Sequence, residues 1–129
     1  MSFSPVPSYV FGTIFTGIGL LSVLAPATDY AVFGLPLEAS TSSSTGAVSP
    51  MTYAKGIRDL AFGLTYFGLQ YYGLDFAITI FSAVLCVVAL GDGLVVYKYG
   101  GPLSGKAFGH WGGFVPFVAW VAWRAQYAN

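Results

Sequence analysis

Apolar and polar positions fall into long blocks rather than a short alternation. Four mostly apolar stretches cover about 9–25, 54–72, 75–97 and 108–126. Each is near the roughly 20 residues that a membrane helix needs. The first stops at Pro26, which has no N–H to continue a helix. The pattern predicts an all-α chain: an integral membrane four-helix bundle, one domain over residues 1–129. The longest connection is 26–53. It contains a Ser/Thr-rich tract from Glu38 to Pro50 with no apolar period, expected to be a surface loop. Loops this long are often lids or binding loops. Tight turns are expected at Tyr72-Gly73-Leu74 and across the Gly- and Pro-rich segment 100–105. Residues 1–8 hold no Lys or Arg, so the first span is not expected to be a cleaved signal.

Composition sharpens this reading. Hydrophobic residues make up 56% of the 129 positions and charged residues only 8%. A soluble domain carries about 25% charged residues, and a small one has much surface to cover. Five Lys/Arg balance five Asp/Glu, so there is no basic face for nucleic acid. The expected surroundings are a lipid bilayer. The lone Cys86 reads as packing, and no Cys/His spacing suits a metal. No phosphate-cradling loop or nucleophile elbow is present. The expectation is therefore no cofactor and no metal.

The charges are not spread evenly. If four spans alternate in direction, the end of the first, the start of the second, the end of the third and the start of the fourth share one face, here the top. Asp29, Glu38, Lys55, Arg58, Asp59, Asp92, Lys98 and Lys106 then lie at the top, with the only histidine, His110. Asp75 and Arg124 lie at the bottom, expected as a helix N-cap and an anchor. Counting Lys and Arg puts the top in the cytoplasm and both termini outside.

Lys55, Arg58 and Asp59 share one helix face at spacing i, i+3, i+4. Asp92 lies about one turn inside the third span, between Gly91 and Gly93, glycines that permit close approach. His110 opens the fourth span, followed by Trp111-Gly112-Gly113. An ionisable group inside a bilayer costs roughly 2.5–3.5 kcal/mol on insertion scales and normally faces the bundle interior and pairs. Arg58 is expected to pair with one or both of Asp59 and Asp92. Two carboxylates, a guanidinium and an imidazole around one pocket suit acid–base chemistry. The same residues admit structural readings. Lys55 and Lys98 suit snorkelling, and an Arg58–Asp92 pair suits a helix staple. Gly12, Gly17, Gly19, Gly63 and Gly68 suit helix packing, within the chain or in a homo-oligomer.

Three segments carry a resemblance: Lys55-Gly-Ile-Arg-Asp-Leu-Ala-Phe-Gly-Leu64, Gly91-Asp-Gly-Leu-Val-Val-Tyr-Lys98 and Ala107-Phe-Gly-His-Trp-Gly112. Over about residues 8–125 the chain resembles small four-span membrane proteins of unknown function found in fungi and bacteria, similar in architecture to DoxX-like proteins. Some members resemble accessory epoxide hydrolases or cyclases of fungal polyketide biosynthesis. The resemblance implies a secondary-metabolism enzyme that opens a lipophilic epoxide, by hydrolysis or cyclisation. Asp59 and Asp92 would act as acid and base in an order left open, with Arg58 between them and His110 able to replace either. Lys55, Tyr66 and Trp111 are the expected substrate-binding residues, and the partner is a lipophilic small molecule. Two other readings use the same residues: an acid–base isomerase or terpenoid-type cyclase, and a non-catalytic membrane scaffold or small-molecule binder.

Overall fold

The computed structural model describes residues 3–40, 44 and 46–127. Within them the chain is all helical, with a single antiparallel bridge between Glu38 and Ala47. Residues 41–43 and 45 of the Ser/Thr tract lie outside the described residues.

Four long helices cover the four apolar stretches: α1 (Val6–Leu24), α3 (Met51–Tyr71), α4 (Asp75–Tyr99) and α5 (Ala107–Tyr127). Two of them, α1 and α4, are long and apolar enough to cross a membrane. At 1.5 Å per residue, the 25 residues of α4 reach about 38 Å, past a hydrocarbon core of about 30 Å. The turn between α3 and α4 falls at 72–74, where Gly73 takes a φ of +67°. Residues Gly101–Lys106 form a 3-10 helix that leads into α5.

The expectation of a loop from residue 26 is corrected here. Pro26–Phe33 form a short helix, α2. Pro26 breaks the first helix, since Ala25 leaves the helical region, and then serves as the first residue of the next. Gly34, at φ +107°, closes α2 with a left-handed cap. Eight residues are too few to show an apolar period, which is why the pattern hid them.

The helices pack as two close antiparallel pairs, α1 with α3 and α4 with α5. The first seam is built on glycine. A Cβ on Gly19 would meet Leu60 N at 2.6 Å and Gly56 O at 2.7 Å. A Cβ on Gly63 would meet Gly12 O at 2.7 Å. Gly12 and Gly19 on one helix thus face Gly63 and Gly56 on the other, each pair seven residues apart. Gly17 and Gly68 face open space instead and take no part. In the second pair, Gly93 makes a notch filled by the Trp111 ring.

Large side chains bridge the two pairs. Tyr66, Ile78, Leu85, Phe117 and Val121 are buried there, packed against Phe11, Phe15, Phe62, Phe81 and Trp120. The Tyr66 hydroxyl shares a 2.7 Å hydrogen bond with Ser82. At the bottom, Arg124 is only 1% exposed. It donates to the Asp75 carboxylate at 3.0 Å, to the Asp75 carbonyl at 2.9 Å and to Thr79 Oγ1 at 3.1 Å. Phe3 covers its guanidinium at 4.1 Å. Asp75 is therefore not the expected N-cap. Leu74 holds that position, and the Asp75 carboxylate ties α4 to α5.

Candidate functional site

The top of the bundle gathers an ion network from four elements. On α3, Lys55, Arg58 and Asp59 project from one face. Lys55 Nζ donates to Asp59 Oδ2 at 3.1 Å, to Asp29 Oδ1 at 3.2 Å and to Ser22 Oγ at 3.2 Å. Arg58 spans both expected partners: its Nε donates to Asp59 Oδ1 at 3.1 Å and its Nη2 to Asp92 Oδ2 at 3.1 Å. Lys55 thereby links α3 to α1 and α2, and Arg58 links α3 to α4.

Asp29 is the member that the sequence reading left as a connecting-loop charge. It is 2% exposed and meets Lys55 because α2 folds back over the bundle end. Three further contacts hold α2 there. His110 Nε2 lies 2.8 Å from the Phe33 carbonyl, and Lys106 donates to the Ala31 carbonyl. The Lys55 ammonium sits 5.0 Å from the centre of the Phe33 ring. A carbonyl oxygen only accepts, so His110 Nε2 carries a proton, and in the neutral ring Nδ1 keeps the free lone pair.

Two cavities meet at this network. The upper one, about 240 Å³, is a vestibule with Asp29, Glu38 and Arg58 in its wall beside Tyr30, Leu35 and Met51. Tyr30 organises its rim by donating to Glu38 at 3.3 Å and accepting from Ser49 N at 3.1 Å. The lower one, about 420 Å³, lies between the two helix pairs. Its walls are apolar, including Phe11 and Ile18 of α1, Leu85 and Val88 of α4 and Phe117 of α5. Its polar end is made by Lys55, Asp59, Asp92 and His110. Phe33, Lys55 and Asp92 face both cavities and form the partition between them.

The structure thus brings together five of the seven residues singled out from the sequence: Lys55, Arg58, Asp59, Asp92 and His110. It sets two apart. Tyr66 lies in the core with its hydroxyl engaged by Ser82 and lines neither cavity. Trp111 is spent on the Gly93 notch and on Tyr97 and Phe108, and also lines neither. Gly112 and Gly113, which follow Trp111, face open space. Residues that the sequence did not offer are Asp29, Ser22 and Phe33. The one available signal was the Pro26-to-Gly34 frame with an acid in its first turn.

Chemically, the junction sets three carboxylates, Asp29, Asp59 and Asp92, against the Lys55 ammonium and the Arg58 guanidinium. Asp59 accepts from both Lys55 and Arg58, and its side chain is 5% exposed. Among the described residues Asp92 accepts from Arg58 alone, and its side chain is 23% exposed, so it keeps lone pairs for another partner. Among the described residues no three His, Cys, Asp or Glu side chains converge as a metal-binding group.

No curated protein and no solved structure matches the chain. One family model does match, over residues 12–124, from the Gly12 contact of the first seam to the Arg124 tie at the bottom. That span contains every member of the ion network, and the chain belongs to the family described as a domain of unknown function, DUF4267.

Proposed function

We propose that this chain is a four-span integral membrane protein and a cofactor-independent enzyme that opens a lipophilic epoxide by acid–base chemistry. The observation that carries the proposal is the lower cavity: apolar along its length and ended by Lys55, Asp59, Asp92 and His110. Pockets of about 300–1,000 Å³ with a few convergent polar groups are the usual form of small-molecule sites. A bilayer location agrees with the long apolar helices α1 and α4 and with the confinement of charge to the two ends of the bundle.

In this reading Asp92 is the base. It takes a proton from water as the water oxygen bonds to an epoxide carbon. The breaking C–O bond leaves its electron pair on the ring oxygen, which takes a proton from the Lys55 ammonium, or from His110 Nδ1 when that ring is an imidazolium. Asp92 then returns its proton to that donor through water, so the sum is epoxide plus water giving a diol, with no oxidant or reductant. Ring strain supplies much of the drive. Asp59, with both oxygens engaged, holds Lys55 and Arg58 in place and is a positioning residue. Water reaches Asp92 from the vestibule, and the lipophile reaches it from the apolar cavity.

The test feeds a medium-length epoxidised polyene, in oxygen-18 water, to membranes carrying wild type or Asp92→Asn. A labelled diol from wild type only is expected. Unlabelled ring-closed product favours the cyclase or isomerase reading on the same residues. Equal products from both proteins, at equal insertion, overturn the enzyme reading and leave the network as a helix staple.

A further inference from the structure

The lower cavity also limits what can occupy it and how it enters. Its depth reads the same from three helices. It runs from Ile18 to Phe11 on α1, from Asp92 to Leu85 on α4 and from Gly109 to Phe117 on α5. Seven or eight residues at 1.5 Å each give about 10–12 Å. Its 420 Å³, at roughly 30 Å³ for each water-sized unit, holds on the order of a dozen heavy atoms. Only the upper end is polar.

The cavity is open on one side. Of its lining residues, Ile14 on α1 is 49% exposed, and Gly109 and Gly113 on α5 are exposed. A Cβ at either glycine would meet nothing within 4 Å. The two glycines stand one turn apart on a wall where other residues would project side chains. The gap faces sideways, at a level where the four-span reading places lipid.

We infer that the ligand is an amphiphile of about a dozen heavy atoms with its oxygen at one end, and that it enters laterally from the bilayer between α1 and α5 through the gap at Gly109 and Gly113. The inference rests on the proposed membrane placement and names the substrate class of the proposed site. The oxygen end meets Lys55, Asp92 and His110, and the apolar end rests on Phe11, Leu85 and Phe117. A chain twice as long leaves half of itself in the portal.

The test uses purified protein in phosphatidylcholine nanodiscs and a medium-chain aliphatic alcohol with a terminal diazirine. Photoadducts are mapped by peptide mass spectrometry. Labelling of Phe11, Leu85 or Phe117 is expected, with competition by an unlabelled alcohol of the same length and little by one twice as long. Gly113→Leu should lower floor labelling at least tenfold by filling the portal. Gly112→Leu, on the same helix but off the cavity, should leave it unchanged. Labelling confined to outward residues such as Val84 and Val87 overturns the inference, as does equal floor labelling in Gly113→Leu. The probe has no epoxide, so labelling needs no chemistry. Floor labelling without epoxide turnover overturns the enzyme reading alone, and turnover without floor labelling overturns this inference alone.

Discussion

Replacing Lys55 by Met tests whether one ammonium holds the top of the molecule together. Methionine keeps the length and apolar stem of the side chain and deletes the charge. Three hydrogen bonds are lost, two of them to carboxylates at 3.1 and 3.2 Å. At an effective dielectric of 20, each of those charge pairs is worth about 5 kcal/mol before desolvation. Taking Lys55 out of water offsets much of that sum. What decides the outcome is what remains. Asp59 keeps Arg58, whereas Asp29, whose side chain is 3% exposed, loses the one cation bonded to it among the described residues. Breaking a buried pair in this way costs about 3–5 kcal/mol. For 129 residues the unfolding entropy is about 0.27 kcal/mol per kelvin, so Tm should fall by about 11–18 °C. The assay is thermal unfolding in detergent, followed by tryptophan fluorescence. Adding Asp29→Asn to Lys55→Met removes the stranded charge and should restore about 2 kcal/mol, although Asp29→Asn alone destabilises. Such coupling between contacting residues is what a double-mutant cycle measures. Strictly additive effects, within about 0.5 kcal/mol, would show that Lys55 does not hold α2 through Asp29 and would refute the argument.

Two further outcomes follow from the packing. Gly63→Val should cost about 3 kcal/mol or more, since even its first carbon would meet Thr16 and the Gly12 carbonyl, and overpacking at a backbone contact has no side chain to yield. The same change at Gly68, which faces open space, should cost under about 1 kcal/mol, read by detergent unfolding. Tyr66→Phe should cost about 1–2 kcal/mol by leaving Ser82 without its partner in the core. Epoxide turnover, measured beside it, should stay within twofold, because Tyr66 touches neither cavity.

The sequence revealed what depends on long-range pattern. Four long helices followed from four apolar blocks, and the gathering of charge at one end followed from alternation of direction. Arg58 was expected to take Asp59, Asp92 or both, and it takes both. Position-specific packing was less legible. Gly12, Gly19 and Gly63 read as seam residues and are, but their partner Gly56 sits inside the Lys55–Asp59 segment, where the charges drew the reading toward chemistry. Gly17 and Gly68 looked equivalent because spacing alone does not say which helix face meets a neighbour. The short helix α2 was hidden for a related reason. Its burial comes from Lys55, Lys106 and His110, which lie far along the chain, so its own eight residues show little of it. Tyr66 and Trp111 are aromatic in the expected places, but a 2.7 Å hydroxyl contact and a glycine notch claim them for packing.

The two ends of the molecule supply an internal comparison. Both carry an Arg–Asp pair at similar distance, 3.0 Å for Arg124–Asp75 and 3.1 Å for Arg58–Asp92. If joining helices were the whole task, the two arginines would be enclosed alike. They are not: the Arg124 side chain is 1% exposed, sandwiched by Phe3 and Trp120, and the Arg58 side chain is 36% exposed beside the vestibule. Arg124 borders neither cavity, whereas Asp92 borders both. Surroundings rather than charge therefore separate a staple from a site. Arg124→Met should leave Asp75 unpaired and cost about 1–3 kcal/mol in detergent unfolding, tempered by the 35% exposure of Asp75, with turnover per folded molecule unchanged. Asp92→Asn keeps the shape and one acceptor oxygen for Arg58. It should cost under about 1.5 kcal/mol while turnover falls at least a hundredfold, the lower end of the range for losing a general base. Equal stability losses with equal turnover would make the top pair a second staple. The opposite split, small at the bottom in turnover and small at the top in stability, is what an acid–base site at the mouth of an apolar cavity requires.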